Sequence, residues 1–529
     1  MAISLPNRAI ATGTRNRTPN DVTPTSGMCT ICLDGCPGYC EIGKSSFRGP
    51  EVIYPMPFGK MTTAAQKEYP VDFHHFNITG TIAGPADPRF EKFTNVNLET
   101  RLGRDKGLKM KLPFVVTGVG STKIAAEHFE GIGSGPGMCG TGVVIGENVC
   151  AMDSTTEFDS NEKVTHCPEL QRRIDIFKRW QRDGYGFFCV QANDEDIRLG
   201  VFEYAMSKLG ADAVELKWGQ GAKSIGGEVK ITNLKKARLL KKRGYVVIPD
   251  PEDPIAIESF QQGAFEGFER HTRIGTISED IDKSIETFIK TVEDLRNKGA
   301  KYVFLKTGAY RPADLARALR FCSEAEIDVL TVDGAGGGTG MSPWRMMNEW
   351  GVPTVYLASL LHEYCDRLTK KNKYVPDVIL AGGITMEDQI YKAFALCSPY
   401  IKAVGMSRST ICAAMVGKTQ GELIGTGKQP KNSEPYGKSV EEVFYYHHSV
   451  QKEFGGNGDQ IPASGLGVYS YYQRLATGLR QLMAGSRRLS LENITRDDIF
   501  ALTMEAADVS GIPFVMDYDK EAATRILGA

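Results

Sequence analysis

The sequence predicts a (β/α)8 TIM barrel, preceded by an N-terminal cysteine-rich extension and followed by a C-terminal helical extension. Three observations carry that expectation. Eight short apolar runs, several rich in valine and isoleucine, follow one another from about residue 112. Most of the intervals between them hold a helix-compatible pattern, such as "DIRLGVFEYAMSKLG" and "PADLARALRFCSEAE". A polar residue or glycine stands at the C-terminal end of nearly every run. Strands covered on both faces of a parallel sheet read as continuous apolar runs rather than alternating ones, and eight of them joined by helices suggest a barrel. An open doubly wound sheet is the rival; it needs a phosphate loop after an early strand, and no GxGxxG stands out there.

In chain order, residues 1–27 are polar and rich in Thr, Asn and Pro, which reads as a flexible lead. A Cys-rich region over 28–110 opens on "MCTICLDGCPGYCEIG", with Cys29, Cys32, Cys36 and Cys40 spaced C-x2-C-x3-C-x3-C. Four thiolates so close can enclose a tetrahedral zinc ion or a 4Fe-4S cube. Pro37 directly after the third cysteine, and the tight glycine-bearing turn, favour the iron-sulfur cluster over zinc. The barrel is expected over 111–430, on the runs at 113–118, 142–146, 186–192, 211–217, 301–306, 327–334, 376–383 and 400–407, with a long insertion between the fourth and fifth. Residues 431–529 are helical and polar, with Ser490 and Asn493 as candidate caps, and are expected to pack on the outside of the barrel.

The 529 residues suffice for one large core without metals or disulfides. Lys and Arg total 63 against 64 Asp and Glu, a formal charge of −1, and no basic block or basic-aromatic stripe occurs. Small molecules rather than nucleic acids are therefore the expected partners. No run reaches the roughly 20 apolar residues that span a bilayer, and the first thirty residues lack an apolar signal core. A soluble cytoplasmic protein with no membrane contact, assembling as a homo-oligomer, is the expectation. Twelve cysteines in such a chain point to reduced thiols and ligand use; Cys139, Cys150 and Cys167 are further candidate ligands or ordinary buried thiols.

Barrels do their chemistry at the rim formed by the C-terminal strand ends. After the sixth run, "VDGAGGGTGMSP" (332–343) strips Cβ atoms from a turn at Gly334, Gly336, Gly337, Gly338 and Gly340. Backbone N–H groups can there approach a flat ring or a phosphate, and Thr339 adds a hydroxyl. "AGGI" (381–384) and "VGMSRS" (404–409) follow the seventh and eighth runs, where barrels build phosphate sites with a helix N-terminus. Gly382, Gly383, Gly405, Met406 and Ser407 are expected to offer main-chain bonds, and Arg408 a positive charge. Lys217 and Lys306 end the fourth and fifth runs. A lysine over a flavin stabilises the negative charge that develops on reduction; its alternative role is a rim lysine paired with a rim carboxylate. Phosphate and ring together make FMN the expected cofactor.

"ELKWGQGAKSIGGEVKI" (215–231) resembles the FMN domain of glutamate synthases, in which a strand ending in Lys runs into a Gln-Gly-Ala-Lys turn and a Gly-Gly loop. In the same order, "VVTGVGS" (115–121) resembles that family's first-strand flavin loop and "GTGVVIGE" (140–147) its Thr-Gly-Glu segment. "GGGTGMSP" and "AGGI" resemble its later turns, and "LATGLRQLMAG" its closing helix, so the resemblance spans roughly residues 110–510. It implies Thr117, Gly118, Gln191, Lys217, Lys306, Gly337, Gly338 and Thr339 near the flavin. Gln220 and Lys223 are implied to face the substrate as catalytic groups beside the two strand lysines, with Glu147 also on the substrate side. An arginine of the family grips the carboxylate of 2-oxoglutarate, a role for which a guanidinium fork is suited; Arg238 is its candidate here, or else a surface helix residue. His271 in "ERHTRIG" resembles a substrate-side histidine, or is structural.

Departures narrow the expectation. The family's Gly-Gly-Gln is Gly226-Gly227-Glu228, and a carboxylate there opposes an acidic substrate. Its His-Asp before Gly-Gly-Thr-Gly is Ala335-Gly336, and its 3Fe-4S cysteines are reduced to Cys412. The expected function is an FMN oxidoreductase of glutamate-synthase type that passes electrons between the N-terminal cluster, FMN and a small keto, imino or amino acid. A partner protein would supply electrons or, as an amidotransferase, ammonia. An N-methylglutamate-synthase-like amine transferase subunit and a non-catalytic flavin and cluster relay are the alternatives.

Overall fold

The computed structural model describes residues 69–83, 92–219, 229–271, 280–337, 342–431, 433–455 and 460–528. Each of the eight apolar runs forms a strand within two residues of its expected bounds: β1 (Phe114–Val119), β2 (Gly142–Ile145), β3 (Phe187–Ala192), β4 (Ala213–Lys217), β5 (Tyr302–Thr307), β6 (Val329–Asp333), β7 (Asp377–Ala381) and β8 (Ile401–Gly405). All pair in parallel with their sequence neighbours, β4 meets β5, and β8 meets β1, so the sheet closes. The expected TIM barrel is therefore the observed fold.

Alternation along each strand explains how one sequence builds both a dry interior and a chemical rim. Val115, Val144, Phe187, Cys189, Ala213, Phe304, Val329, Ile379 and Ala403 form one apolar cluster within the barrel. The hairpin of Thr100–Leu102 and Leu108–Met110 adds Leu102, Leu108 and Met110 to that cluster and plugs it. Side chains two residues apart on a strand share a face. Two residues beyond Val115, Cys189, Ala213, Phe304 and Val329, the inward positions are Thr117, Gln191, Glu215, Lys306 and Thr331. The interior thus changes from hydrocarbon to hydrogen-bonding groups in a single step toward the C-terminal mouth.

Return helices follow the strands: α1 (Lys123–Cys139), α2 (Pro168–Trp180), α3 (Ile281–Asn297), α4 (Pro312–Glu324), α5 (Thr354–Lys370), α6 (Glu387–Leu396) and α7 (Ser407–Gly425). After β3 the return is made by Asp194–Arg198 and Val201–Tyr204, which runs into a π-helical turn at Ala205–Leu209. The insertion between β4 and β5 contains a three-stranded antiparallel sheet with Phe268–His271 between Val229–Ile231 and Val246–Ile248. In the C-terminal part, α8 (Ala463–Gly485) lies against α1 and α7. A side chain in place of Gly135 would collide with Val468, its Cβ falling 2.4 Å from that residue, so glycine sets this helix spacing. Ile499–Ala501 then pairs with Phe76–Ile78, joining the two ends of the described chain. Among the described residues, no helix is long and apolar enough to cross a membrane.

Candidate active site

Glu215 and Lys217 occupy the same face of β4, and the register sets Gln191 opposite Glu215 and Lys306 opposite Lys217. Glu215 is fully buried. Gln191 Nε2 donates to its Oε1 at 2.8 Å, and Thr331 Oγ1 lies 3.4 Å from its Oε2. Burial raises the Glu215 carboxyl above the usual range, while the Lys306 charge and the Gln191 amide pull it back. Lys306, 3% exposed, places Nζ 3.6 Å from Asp333 Oδ2 at the end of β6. Lys217 pairs with Glu147 beyond β2. Both lysines therefore have carboxylate partners.

Glu147 is held by the residue that follows it. Asn148 sits in the left-handed region at φ 65, with its N–H donating to Asp196 Oδ2 at 2.7 Å. The Asn148 side-chain oxygen accepts from Tyr245 Oη at 2.9 Å and Asn193 Nδ2 at 3.0 Å. Asp196 is 1% exposed. Burial pushes its carboxyl up to about 7, with the Glu147 charge adding to the rise and the Asn148 N–H and the Arg270 charge opposing it.

The other side of the mouth is stitched by backbone. Thr117 N–H donates to Ser407 Oγ at 2.9 Å, and Ser407 Oγ donates to the Thr117 carbonyl at 2.7 Å, tying the end of β1 to the first residue of α7. Arg408 Nη2 donates to the Gly336 carbonyl, and Met406 is buried. Gly334 N–H bonds the Ala381 carbonyl at 2.9 Å. The Thr354 hydroxyl lies 2.9 Å from the Ala335 carbonyl and 2.7 Å from that of Gly382. Tyr471 of α8 donates to the Thr385 carbonyl in the turn after β7.

Gly382 has φ 123, and a Cβ there would stand 2.4 Å from Thr354 Oγ1 and 2.8 Å from the Gly334 nitrogen. Gly382→Ala is therefore expected to cost about 2–3 kcal/mol through strain and overpacking, read as a lower urea midpoint at unchanged m-value. At the end of β1, Gly118 has φ 66, and a Cβ there would lie 3.1 Å from Gln191 Oε1 and 3.4 Å from Lys306 Nζ. Its backbone is bare where those two side chains reach. Gln191 Oε1 is buried and has no hydrogen-bond partner.

Thr117, Gly118, Glu147, Gln191, Lys217, Lys306, Gly337, Gly382, Gly383, Gly405 and Met406 stand on the strand ends and turns of this mouth, and Ser407 and Arg408 open α7 beside them. Gln220, Lys223, Gly338, Thr339 and the cysteines Cys29, Cys32, Cys36 and Cys40 lie outside the described residues. Arg238 has its own partners within the insertion. It belongs to helix Leu234–Lys242 of the insertion, where its guanidinium donates to the Pro251 carbonyl at 3.2 Å and lies 3.6 Å from Glu252. His271 is half-buried, with Nε2 3.4 Å from Glu269 on the same strand; its neighbour Arg270 is the buried one, stacked on Tyr245 at 4.8 Å. Cys139, Cys150 and Cys167 are buried, and among the described residues no group of three His, Cys, Asp or Glu side chains could hold a metal ion.

Sequence reasoning missed Glu215 and Asp196. Glu215 was findable, since a carboxylate two residues before an inward lysine shares its face. Asp196, in "NDEDIR", looks like any acidic helix start.

Residues 278–415 match the family described as the conserved region in glutamate synthase; this stretch runs from just before α3 through β5–β8 into α7. A glutamate synthase large subunit-like protein of Rhizobium meliloti is 23% identical over 427 residues, covering 79% of this chain and 81% of that protein. An archaeal NADPH glutamate synthase of Methanocaldococcus jannaschii is 26% identical over 206 residues, 38% of this chain and 34% of that relative. Among solved structures, the flavin-binding domain of baker's yeast flavocytochrome b2 superposes with a TM-score of 0.44 at 14% identity, covering 85% of this chain and 81% of that one. A chimera of (S)-mandelate dehydrogenase gives 0.41 at 12% identity, covering 81% and 88%. The conserved region of glutamate synthase is thus matched across the second half of the barrel, and over most of its length this chain is similar to a glutamate synthase large subunit-like protein.

Proposed function

We propose that the chain is an FMN-dependent oxidoreductase of glutamate-synthase type acting on a small amino, imino or keto acid. The observation that carries this reading is the convergence of Gln191 Oε1, buried without a partner, and Lys306 Nζ on the bare backbone of Gly118. That is a cradle for a flat ring bearing both N–H donors and a site of developing negative charge, and these residues fit FMN. Ser407 and the first backbone N–H groups of α7 would hold the phosphate, helped by the helix dipole and by Arg408. Gly382 and Gly383 leave room beside it.

When bound, FMN supplies reversible hydride transfer. The chain's own groups do the rest. Lys306 holds a positive charge at the cradle, kept there by Asp333 and Glu215. Lys217 and Glu147 offer paired opposite charges suited to the carboxylate and ammonium of an amino acid. Cys29, Cys32, Cys36 and Cys40 would hold a 4Fe-4S cluster where electrons arrive from a partner subunit, a reading that rests on their spacing; a homo-oligomeric assembly is part of the same proposal.

Anaerobic purification tests this. The expected result is stoichiometric FMN, with iron and sulfide in equal amounts, and flavin bleaching by an amino acid or reoxidation by a keto acid plus ammonia. Zinc without iron would remove the cluster from the scheme. A protein that takes up no FMN on reconstitution would overturn the whole reading.

A further inference from the structure

Glu215 has no part in the scheme beyond its charge, yet its placement is costly. A carboxylate fully removed from water needs strong compensation, and a neutral side chain of the same volume would fill the position. Its surroundings are all donors or cations. The Gln191 amide nitrogen is 2.8 Å from Oε1, the Thr331 hydroxyl is 3.4 Å from Oε2, and the Lys306 charge is the largest influence opposing its burial.

An ionised carboxylate can only accept. The side of the Gln191 amide that meets it must therefore be the NH2. With the nitrogen committed to Glu215, the carbonyl oxygen is the amide atom that is buried without a partner; a Cβ on Gly118 would lie 3.1 Å from it and 3.2 Å from the nitrogen. A glutamine or serine below it would not impose that orientation, because each can both donate and accept.

We propose that Glu215 is a positioning residue of the cofactor cradle: by accepting from Gln191 it presents the Gln191 carbonyl oxygen to a ring N–H of the ligand, and it sets a fixed negative charge beneath Lys306. This rests on the FMN reading above. Two consequences follow, one for affinity and one for potential. Losing the fixed amide orientation weakens binding of the ring. Losing the buried anion removes a charge that opposes reduction, so the bound flavin becomes easier to reduce.

The test uses the full-length holoenzyme and the apoprotein made from it. Glu215→Gln is expected to weaken FMN binding about tenfold, followed by quenching of flavin fluorescence. It is also expected to raise the two-electron potential of the bound flavin by about 30 mV, the equivalent of a tenfold change in equilibrium constant. Glu215→Asp keeps the charge and shortens the reach, so it should weaken binding while leaving the potential near that of the wild type. This second variant carries the test if Glu215→Gln does not fold. Combining either change with Gln191→Ala should weaken binding no further than Gln191→Ala alone. Flavin-loaded variants with affinity within twofold of the wild type would overturn this inference while leaving the oxidoreductase reading intact. Wild-type protein that binds no FMN would overturn both.

Discussion

Lys306→Met is expected to destabilise the protein by about 3–5 kcal/mol near pH 8, the usual cost of removing one partner from a buried ion pair, and to abolish retention of FMN. Lys306 is 3% exposed and stands between Asp333 and the fully buried Glu215. Methionine replaces the stem of the side chain with little change in volume, so the loss is electrostatic rather than a cavity. The deficit should shrink as the pH falls. Glu215 already has a raised carboxyl, and the Lys306 charge is the chief influence holding it down. Without that charge the group takes up a proton more readily and ceases to be an unpaired anion. Urea denaturation of wild type and variant across the pH range, with the visible spectrum read on the same samples, checks both parts; a deficit independent of pH would place the damage in packing instead.

The second large effect concerns Asp196. Its folded-state carboxyl is pushed up to about 7 from 3.8, chiefly by burial. A carboxyl raised on folding binds its proton more tightly in the native state, so its contribution is fully present below about pH 4. It is lost as the pH rises toward the folded value, and beyond that the loss is complete. At about 1.4 kcal/mol for each pKa unit, the group lowers stability by up to about 4 kcal/mol between about pH 4 and pH 7. Asp196→Asn keeps an oxygen to accept the Asn148 N–H and cannot ionise. The variant is expected to lack this fall and to be the more stable protein at about pH 7.5. Chemical denaturation at a series of pH values measures the difference, and parallel curves for the two proteins would refute it. Glu147, Arg270, Tyr245, Glu195 and Cys150 are among the charged or titratable groups facing this cluster, so the transition occurs next to the partner of Lys217.

The barrel was legible because strands buried on both faces cannot hide. Eight apolar runs such as "GFFCVQA" and "PDVILAGG" have no other economical use in one chain. The lysines at the ends of β4 and β5 were legible for the same reason, since a charge that closes an apolar strand has to emerge at the rim. What escaped was polarity placed inside the runs or beside them. Glu215 interrupts "AVELK" without breaking the strand; its spacing from Lys217 gives its face, and the register with Gln191 supplies the partner that the sequence does not name. The insertion was harder to read. Alternation on Phe268–His271 buries Arg270 and leaves its neighbour His271 half-buried, a distinction that the match of "ERHTRIG" to a substrate-side histidine did not make. Arg238 has the charge that a carboxylate site needs, but it belongs to a helix whose buried residues are Ala237 and Leu240, and its own stem lies over the adjoining Pro251–Glu252 turn.

The Tyr471 hydroxyl that holds the turn after β7 comes from 86 residues farther along the chain, and the outermost strand pair joins Phe76–Ile78 to Ile499–Ala501. These contacts impose an order on biosynthesis. A chain leaving the ribosome can close all eight strands once β8 has emerged, but the turn at Thr385 stays unclamped until α8 arrives. The mouth is therefore completed late, and a chain truncated before α8 is expected to leave the turn at Thr385 without its clamp.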